Sequence, residues 1–323
     1  MIICCGEALI DMVQVEIPGT GRGFFPIPGG CAYNTSVAIG RMGAPVKFLG
    51  KVSTDSFGEI IIKRLRDNNV GDDLIARSDR NTTLAIINAG ERRDGSDQMP
   101  RYSFYTDGTS VPLFMEADLP SVLPAETNCI LFGSISMTMK PVASTIETFI
   151  GRYQADNSPV VSYDPNVRPF MIKDREAYLN SFEKCAAASA IAKISAEDFG
   201  YVYPGLDPEQ ALRKILSLGP QLAICTMGAG GSMALLRRRD GSVAAADAPA
   251  IETAVVDTVG AGDTFHGAFL SWLELRGKLS RRTLSGLSEA DLRDALYFAN
   301  KAASIVCSRH GADPPTMEEV CGL

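Results

Sequence analysis

Histidine is almost missing: the 323 residues contain only His266 and His310. That count excludes a histidine-rich metal centre and leaves a Ser-His-Asp relay almost no imidazole to use. Cysteines stand at 4, 5, 31, 129, 185, 225, 307 and 321, but no C-x-x-C spacing occurs. Neither disulfide staples nor a zinc site is therefore expected. Most thiols lie in apolar runs such as "MIICCG" and "SIVCS", where a reduced cysteine acts as a small core residue. A reducing, cytoplasmic setting is expected. No apolar run approaches the ~20 residues of a membrane helix. The N-terminus lacks a basic segment and reaches Glu7 and Asp11 early, so no signal peptide is expected. Positive charge is short as well. With a net charge of −7 and a pI near 5.1, the chain offers nucleic acids and anionic membranes no broad attractive surface. An anionic substrate must be held by a few local Arg, Lys or backbone N–H groups. There is also no G-x-x-x-x-G-K-[ST] phosphate loop.

What is present is an ordinary composition, 46% hydrophobic and 21% charged, enough for a large α/β domain. Short apolar runs alternate with helix-period segments, the pattern of a mostly parallel sheet covered by helices. Strands are expected at "MIICCGEAL", "VKFLGKV", "NCILFGSIS", "PVVSYDP", "SAIAKIS", "LAICTMG" and "TAVVDTV". Helices are expected at 34–42, 56–69, 141–154, 174–187, 207–218, 263–277 and 289–308. In the last, Leu292, Ala295, Leu296, Ala299, Ala302, Ala303 and Val306 keep to one stripe. Two stretches break the rhythm, 12–28 and about 81–110. They alternate like strands and carry turn signals, including Asp94-Gly95. Together they are expected to form a small sheet covering one undivided domain that spans 1–323, the alternative being a pair of surface loops.

The segment "DTVGAGDTFHGAF", 257–269, concentrates the chemistry. A strand is expected to end there and a helix to begin near Asp263, with Phe265, Ala268, Phe269, Trp272 and Leu273 on its buried face. The amides of 260–263 then lack helical acceptors, and glycines let an anion approach them. Asp263 is either a helix N-cap or a base facing an alcohol held between itself and a phosphate. These residues alone leave both readings open.

"DTVGAGDTF" resembles the C-terminal signature of the ribokinase-like (PfkB) carbohydrate kinases, and "PIPGGCAYNTSVAIGRMGA" their other signature. The resemblance covers essentially the whole chain. It implies a three-layer αβα core with a β-sheet lid, and ATP-dependent phosphorylation of a hydroxymethyl group with Mg²⁺. It makes Asp263 the base and the backbone of Gly260, Ala261, Gly262 and Asp263 the anion hole. On the sugar side it assigns Asp11, Gly29, Gly30 and Asn34, with Arg101 and Phe104 on the lid; Cys31 and Tyr33 shape the pocket. The competing readings are a solvated turn residue for Asp11 and an N-cap for Asn34. "SYDPNVRPF" offers Asp164, Asn166 and Arg168, whose guanidinium either forks onto the sugar or binds loop carbonyls. The "DPNxRP" form resembles fructokinases and points to fructose.

On the nucleotide side the resemblance places Thr226, Gly228 and Gly231 of "CTMGAGGSMAL" near phosphates and ribose, and Asn300 near the base. The bare residues there read as a glycine hairpin. Lys193 and Ser195 join them, a surface lysine being the alternative for Lys193. Where the family has Asn-x-x-Glu, this chain reads Ser195-Ala-Glu197-Asp198. The shorter Asp198 suits a water-mediated Mg²⁺ contact. A monovalent cation such as K⁺ is implied beside Asp257, Val259, Arg309 and Gly311, mostly on backbone carbonyls. The expected partners are a small sugar and ATP, with a homodimer formed through the lid. Rival acceptors are 2-keto-3-deoxygluconate, ribose and nucleosides. A silent sugar or nucleotide sensor is the rival of another class.

Overall fold

The computed structural model describes residues 1–88, 101–155 and 158–322. Asp94-Gly95 lies outside them. The strands are β1 (Ile2–Cys5), β2 (Leu9–Ile17), β3 (Gly21–Gly29), β4 (Val46–Ser53), β5 (Val70–Gly71), β6 (Ile75–Ser78) and β7 (Leu84–Asn88). They continue with β8 (Arg101–Tyr105), β9 (Cys129–Gly133), β10 (Val160–Asp164), β11 (Ile191–Ser195), β12 (Leu222–Thr226), β13 (Ser232–Arg237) and β14 (Val243–Ala248). The main sheet runs β14-β13-β12-β11-β10-β9-β1-β4-β5, with β6 against β4. It is parallel from β12 to β5 and antiparallel in the β12-β13-β14 meander.

Strand β1 shows why the layers form. All four of its residues are apolar and wholly buried, as a parallel strand covered on both faces requires. Side chains alternate, so Ile2 and Cys4 enter one core and Ile3 and Cys5 the other. The first core is closed by α1 (Cys31–Arg41), α2 (Ser56–Asp67), and, later in the chain, α7 (Ala261–Leu275) and α9 (Glu289–Cys307). The second is closed by α3 (Val142–Gly151), α4 (Arg175–Ala187), α5 (Ala196–Val202) and α6 (Pro208–Leu218). Two short helices, α8 (Arg281–Leu284) and α10 (Met317–Cys321), complete the chain. All eight thiols are free, six of them buried. Among the described residues, no helix is long and apolar enough to cross a membrane.

A separate sheet in the order β3-β2-β7-β8 forms the lid. Its register aligns Asp11 of β2 with Ala85 of β7, and Ala85 with Phe104 of β8. Asp11 and Phe104 therefore share one face. The lid leaves the sheet at Tyr105, earlier than the expected boundary near 110.

One expected strand is absent. "TAVVDTV" has no strand pairing, and Val255 and Val256 are exposed at 64% and 49%. Its backbone instead follows the end of α9, with the Val256 and Asp257 amides donating to the Cys307 carbonyl at 2.8 and 3.2 Å. β-branched residues favour a pleated surface only where a neighbouring strand supplies one. The two glycine-fronted helices also begin earlier than expected, α1 at Cys31 and α7 at Ala261.

Candidate active site

The parallel strands deliver Gly6 and Glu7, Asp164, Ser195 and Thr226 to one end of the sheet, where the lid and the starts of α1 and α7 meet. Ligands of open α/β sheets bind at this end. Asp263 is the third residue of α7, and the N-cap is Gly260, with no side-chain capping bond. The N-cap reading of Asp263 is thereby removed. Its buried carboxylate instead accepts a hydrogen bond from Asn34 Nδ2 at 2.9 Å. Asn34 stands inside the first turn of α1, whose N-cap is Gly30, so the capping alternative fails for it too. Burial pushes the Asp263 carboxyl upward, against hydrogen bonds from Cys31 and Asn34.

Asp11 faces the same space. Burial, then the nearby Asp263 charge, raise its carboxyl to about 7, while Arg168 opposes them. Gly29 is bare because of this carboxylate: a Cβ there would lie 2.1 Å from Asp11 Oδ2. Gly30, at φ +109°, is bare because its Cβ would lie 2.7 Å from the Glu7 carbonyl. These two glycines thus make room for protein carboxylate and backbone, whereas the sequence suggested close approach of a sugar. Glu7 itself escaped the sequence reading. Buried to 1% exposure, it accepts the Cys31 amide at 3.0 Å and the Ser136 hydroxyl, fixing the start of α1.

Arg168 makes the loop-carbonyl contacts of its second reading. It donates to the carbonyls of Asn166 and Val167, at 3.4 and 3.0 Å, and it lies close enough to Asp11 to stabilise that charge. The loop carrying it is held in a sparsely populated backbone conformation, with Asn166 at φ +37°. Asp164 Oδ1 holds the Asn166 amide at 3.1 Å, and Asn166 Nδ2 reaches Ser134 Oγ at 3.3 Å. Above this loop Tyr102, Phe104 and Phe170 stack with centroids 5.7–6.4 Å apart. Tyr102 and Phe170 were not singled out in the sequence. Arg101 contributes its backbone to β8; its side chain lies outside the described residues.

The glycine turn is tighter than expected. Gly260 is left-handed at φ +76°, and a Cβ there would meet Ala312 Cβ at 2.7 Å. The Ala261 amide donates to the Thr258 carbonyl at 3.2 Å, which narrows the cradle to Gly260, Gly262 and Asp263. A Cβ on Gly262 would stand 3.1 Å from Lys193 Nζ. Lys193 is not a surface residue: it is 4% exposed and pairs with Asp164 at 2.9 Å. Burial pulls its ammonium down, but the Asp164 carboxylate outweighs this and raises it.

Ser195 and Asp198 form a capping box at the start of α5. Asp198 accepts the Val167 amide at 2.9 Å and the Ser195 amide at 3.4 Å, and burial raises its carboxyl. Among the described residues no group of three metal-ligating side chains is gathered. The donor set therefore fits a Mg²⁺ carried on nucleotide phosphates and met by Asp198 through water, not a protein cage. Asp257 ties the cation segments together, accepting the Val259 amide at 3.0 Å and the Gly311 amide at 2.9 Å. Arg309 turns to Asp313 and Glu319.

Thr226 ends β12 beside Ser195. Gly228, at φ +53°, faces open space, whereas a Cβ at Gly231 would lie 2.2 Å from the Ala248 carbonyl. Asn300 is buried and donates to the carbonyls of Ala248 and Pro249 at 3.0 and 2.9 Å. It fastens β14 to α9 where the sequence suggested a base contact.

A three-layer sheet with a β lid over a glycine-fronted helix is the architecture of the ribokinase-like proteins. The chain belongs to the pfkB family of carbohydrate kinases, whose family model matches residues 1–319. It is 35% identical over 294 residues to a fructokinase of Rhizobium leguminosarum bv. trifolii, covering 91% of this chain and 86% of that one. It is 32% identical to a probable chloroplastic fructokinase of Arabidopsis thaliana, over 99% and 81% of the two chains. The structure of a fructokinase from Xylella fastidiosa with bound ATP superposes with a TM-score of 0.86 at 26% identity, over 99% and 97%.

Proposed function

We infer that the protein is an ATP-dependent fructokinase, transferring the γ-phosphoryl group to the 6-hydroxymethyl of fructose. The observation that carries this is Asp263: a buried carboxylate in the first turn of α7, oriented by Asn34 and spent on no cap, facing Asp11 beside a narrow glycine turn. A carboxyl raised by burial is a stronger base than one in water. In the step, the hydroxyl proton passes to Asp263 as the sugar oxygen bonds to phosphorus. The bond from phosphorus to the bridging oxygen of ADP breaks. The amides of Gly260, Gly262 and Asp263 receive the equatorial phosphoryl charge, with Lys193 beneath them.

Asp11 accepts sugar hydroxyls and Arg168 donates to them. The Tyr102, Phe104 and Phe170 stack closes the lid against this loop, excluding water that would otherwise take the phosphate. When bound, Mg²⁺ would be carried on the nucleotide and supply neutralising charge, with Asp198 the residue that would meet it through water. The carbonyls of the segments joined by Asp257 suit K⁺. Support for fructose comes from "DPNVRP" and from the fructokinase relative at 35% identity. ATP, the ligand of the Xylella relative, suits the open turn at Gly228.

The chain acts as one domain in the cytoplasm. It pairs through lid residues exposed in the single chain, among them Ile17, Phe24, Phe25 and Tyr105. Sedimentation should give twice the chain mass, and a monomer at micromolar concentration would remove that pairing. The functional test is a panel of fructose, ribose, 2-keto-3-deoxygluconate and a nucleoside with ATP, with the product's phosphate position read by ³¹P NMR. Fructose 6-phosphate should form with the highest kcat/KM. Preference for the acidic sugar would overturn the assignment.

A further inference from the structure

His266 is the chain's one fully buried imidazole, and the mechanism above gives it no task. It lies three residues after Asp263 on α7. Its Nε2 is 2.8 Å from Ser162 Oγ, and its Nδ1 faces Asp164 Oδ2 at 3.5 Å. Ser162 and Asp164 are two apart on β10 and so point to the same layer. On the neighbouring parallel strand, Tyr163 pairs with Ala192, which brings Asp164 beside Lys193. One carboxylate, at 1% exposure, therefore joins three elements. It holds the ammonium of β11 and the Asn166 amide of the Arg168 loop by hydrogen bonds, and it faces the buried Nδ1 of the α7 imidazole, which makes no other hydrogen bond, across 3.5 Å.

We propose that His266, backed by Ser162, is a positioning residue for phosphoryl transfer, holding Asp164 so that the Lys193 ammonium stays aimed at the anion cradle beside Gly262. The chemistry fits a neutral ring. A Ser162 hydroxyl donating to Nε2 leaves the Nδ1 proton toward the carboxylate. Burial keeps the imidazole below its usual range, so the network holds one ammonium and one carboxylate with no further charge. An isolated buried ammonium would be costly, whereas this one is paired yet lies at the floor of the cradle. Gly262 gives it access, since any side chain there would press against Nζ. His266 thus acts on the phosphate through Asp164 and Lys193, and not on the sugar, which is held by Asp11 and Arg168.

This inference rests on the kinase reading, so wild-type turnover of fructose with ATP is measured first; its absence would overturn that reading and this proposal with it. Given an active enzyme, His266→Leu should lower kcat about 10–100-fold with the fructose KM within about 3-fold of wild type. His266→Asn, which keeps a donor, should recover most of that loss. The decisive arm is the Lys193→Met background, where His266→Leu should change kcat by less than about 2-fold, because coupled residues are non-additive. Ser162→Ala, a milder change, should cost about 2–5-fold in kcat and nothing further once Lys193 is gone. It decides the matter if the leucine variant does not fold. A full loss persisting in the Lys193→Met background, or a rise in fructose KM that matches the fall in kcat, would overturn the proposal.

Discussion

The two halves of the cleft are built differently. On the proposed sugar side, charged and amide side chains face inward: Asn34 bonds Asp263, Asp11 and Arg168 lie beside them, and burial raises both carboxyls, with Asp263 adding to the rise at Asp11 and Asp164 to that at Asp263. On the proposed nucleotide side, side chains are already engaged. Asn300 holds two carbonyls, Ser195 and Asp198 cap a helix, and the opening is lined by the turn at Gly228. A free hexose carries hydroxyls that demand matched donors and acceptors, whereas a polyphosphate can be met by amides, one buried cation and a bound metal. The sugar half therefore spends chemical variety, and the nucleotide half spends backbone geometry.

Substitutions should respect that division. Arg168→Ala should raise the sugar KM about 10–100-fold while the ATP KM moves less than about 3-fold, because a forked donor is lost at one ligand only. An unchanged sugar KM in steady-state kinetics would place Arg168 among purely structural residues. Next comes pH. Asp11 accepts hydroxyls most strongly when ionised, and burial and the Asp263 charge raise its carboxyl to about 7. The sugar KM should rise as pH falls from 8 to 6, and Asp11→Asn should flatten that slope while weakening binding throughout. Stability runs the other way. The folded value lies above the unfolded one of about 4, so the contribution is full below that and is lost as pH rises through 7. Asp11→Asn should consequently gain in Tm relative to wild type at pH 8 compared with pH 5; an equal difference at both would contradict the raised value.

Changes on the nucleotide side should be felt as stability before affinity. Asn300→Ala leaves the buried Ala248 carbonyl and the partly exposed Pro249 carbonyl without their donor and should cost about 1–3 kcal/mol in denaturant unfolding. The ATP KM should shift by less than about 3-fold, and a large rise would return Asn300 to the base pocket. Gly228→Ala meets no neighbour, so only the left-handed backbone resists it, by about 1–2 kcal/mol. A slightly higher ATP KM is expected; complete loss of ATP binding would mean that the turn touches the nucleotide more closely than its open surroundings suggest.

Legibility followed the same line. The layered fold was readable because buried parallel strands are continuous apolar runs, and because α9 keeps its stripe. The failure at "TAVVDTV" came from judging β-branched residues without knowing whether a partner strand lay beside them. In the site, Asp263, Asn34 and Asp11 were marked by glycines and polar residues interrupting apolar runs. The reason for Gly29 and Gly30 was not, since only the structure shows the Asp11 carboxylate and the Glu7 carbonyl filling their side-chain space. Glu7, Tyr102 and Phe170 gave little local signal, because each acts on a residue distant in sequence. His266 sat inside the quoted motif and was passed over as one of two histidines, yet its neighbour Asp164 comes from another strand.

Between the two halves stands Asp263, and the account depends on its serving chemistry while leaving both ligands bound. Single-turnover transfer in Asp263→Asn, with fructose and ATP both saturating, tests this most directly. The account expects the chemical step to slow by roughly 10³ or more while both dissociation constants stay within about 3-fold of wild type. A chemical step within about tenfold of wild type would show that this carboxylate is not the base.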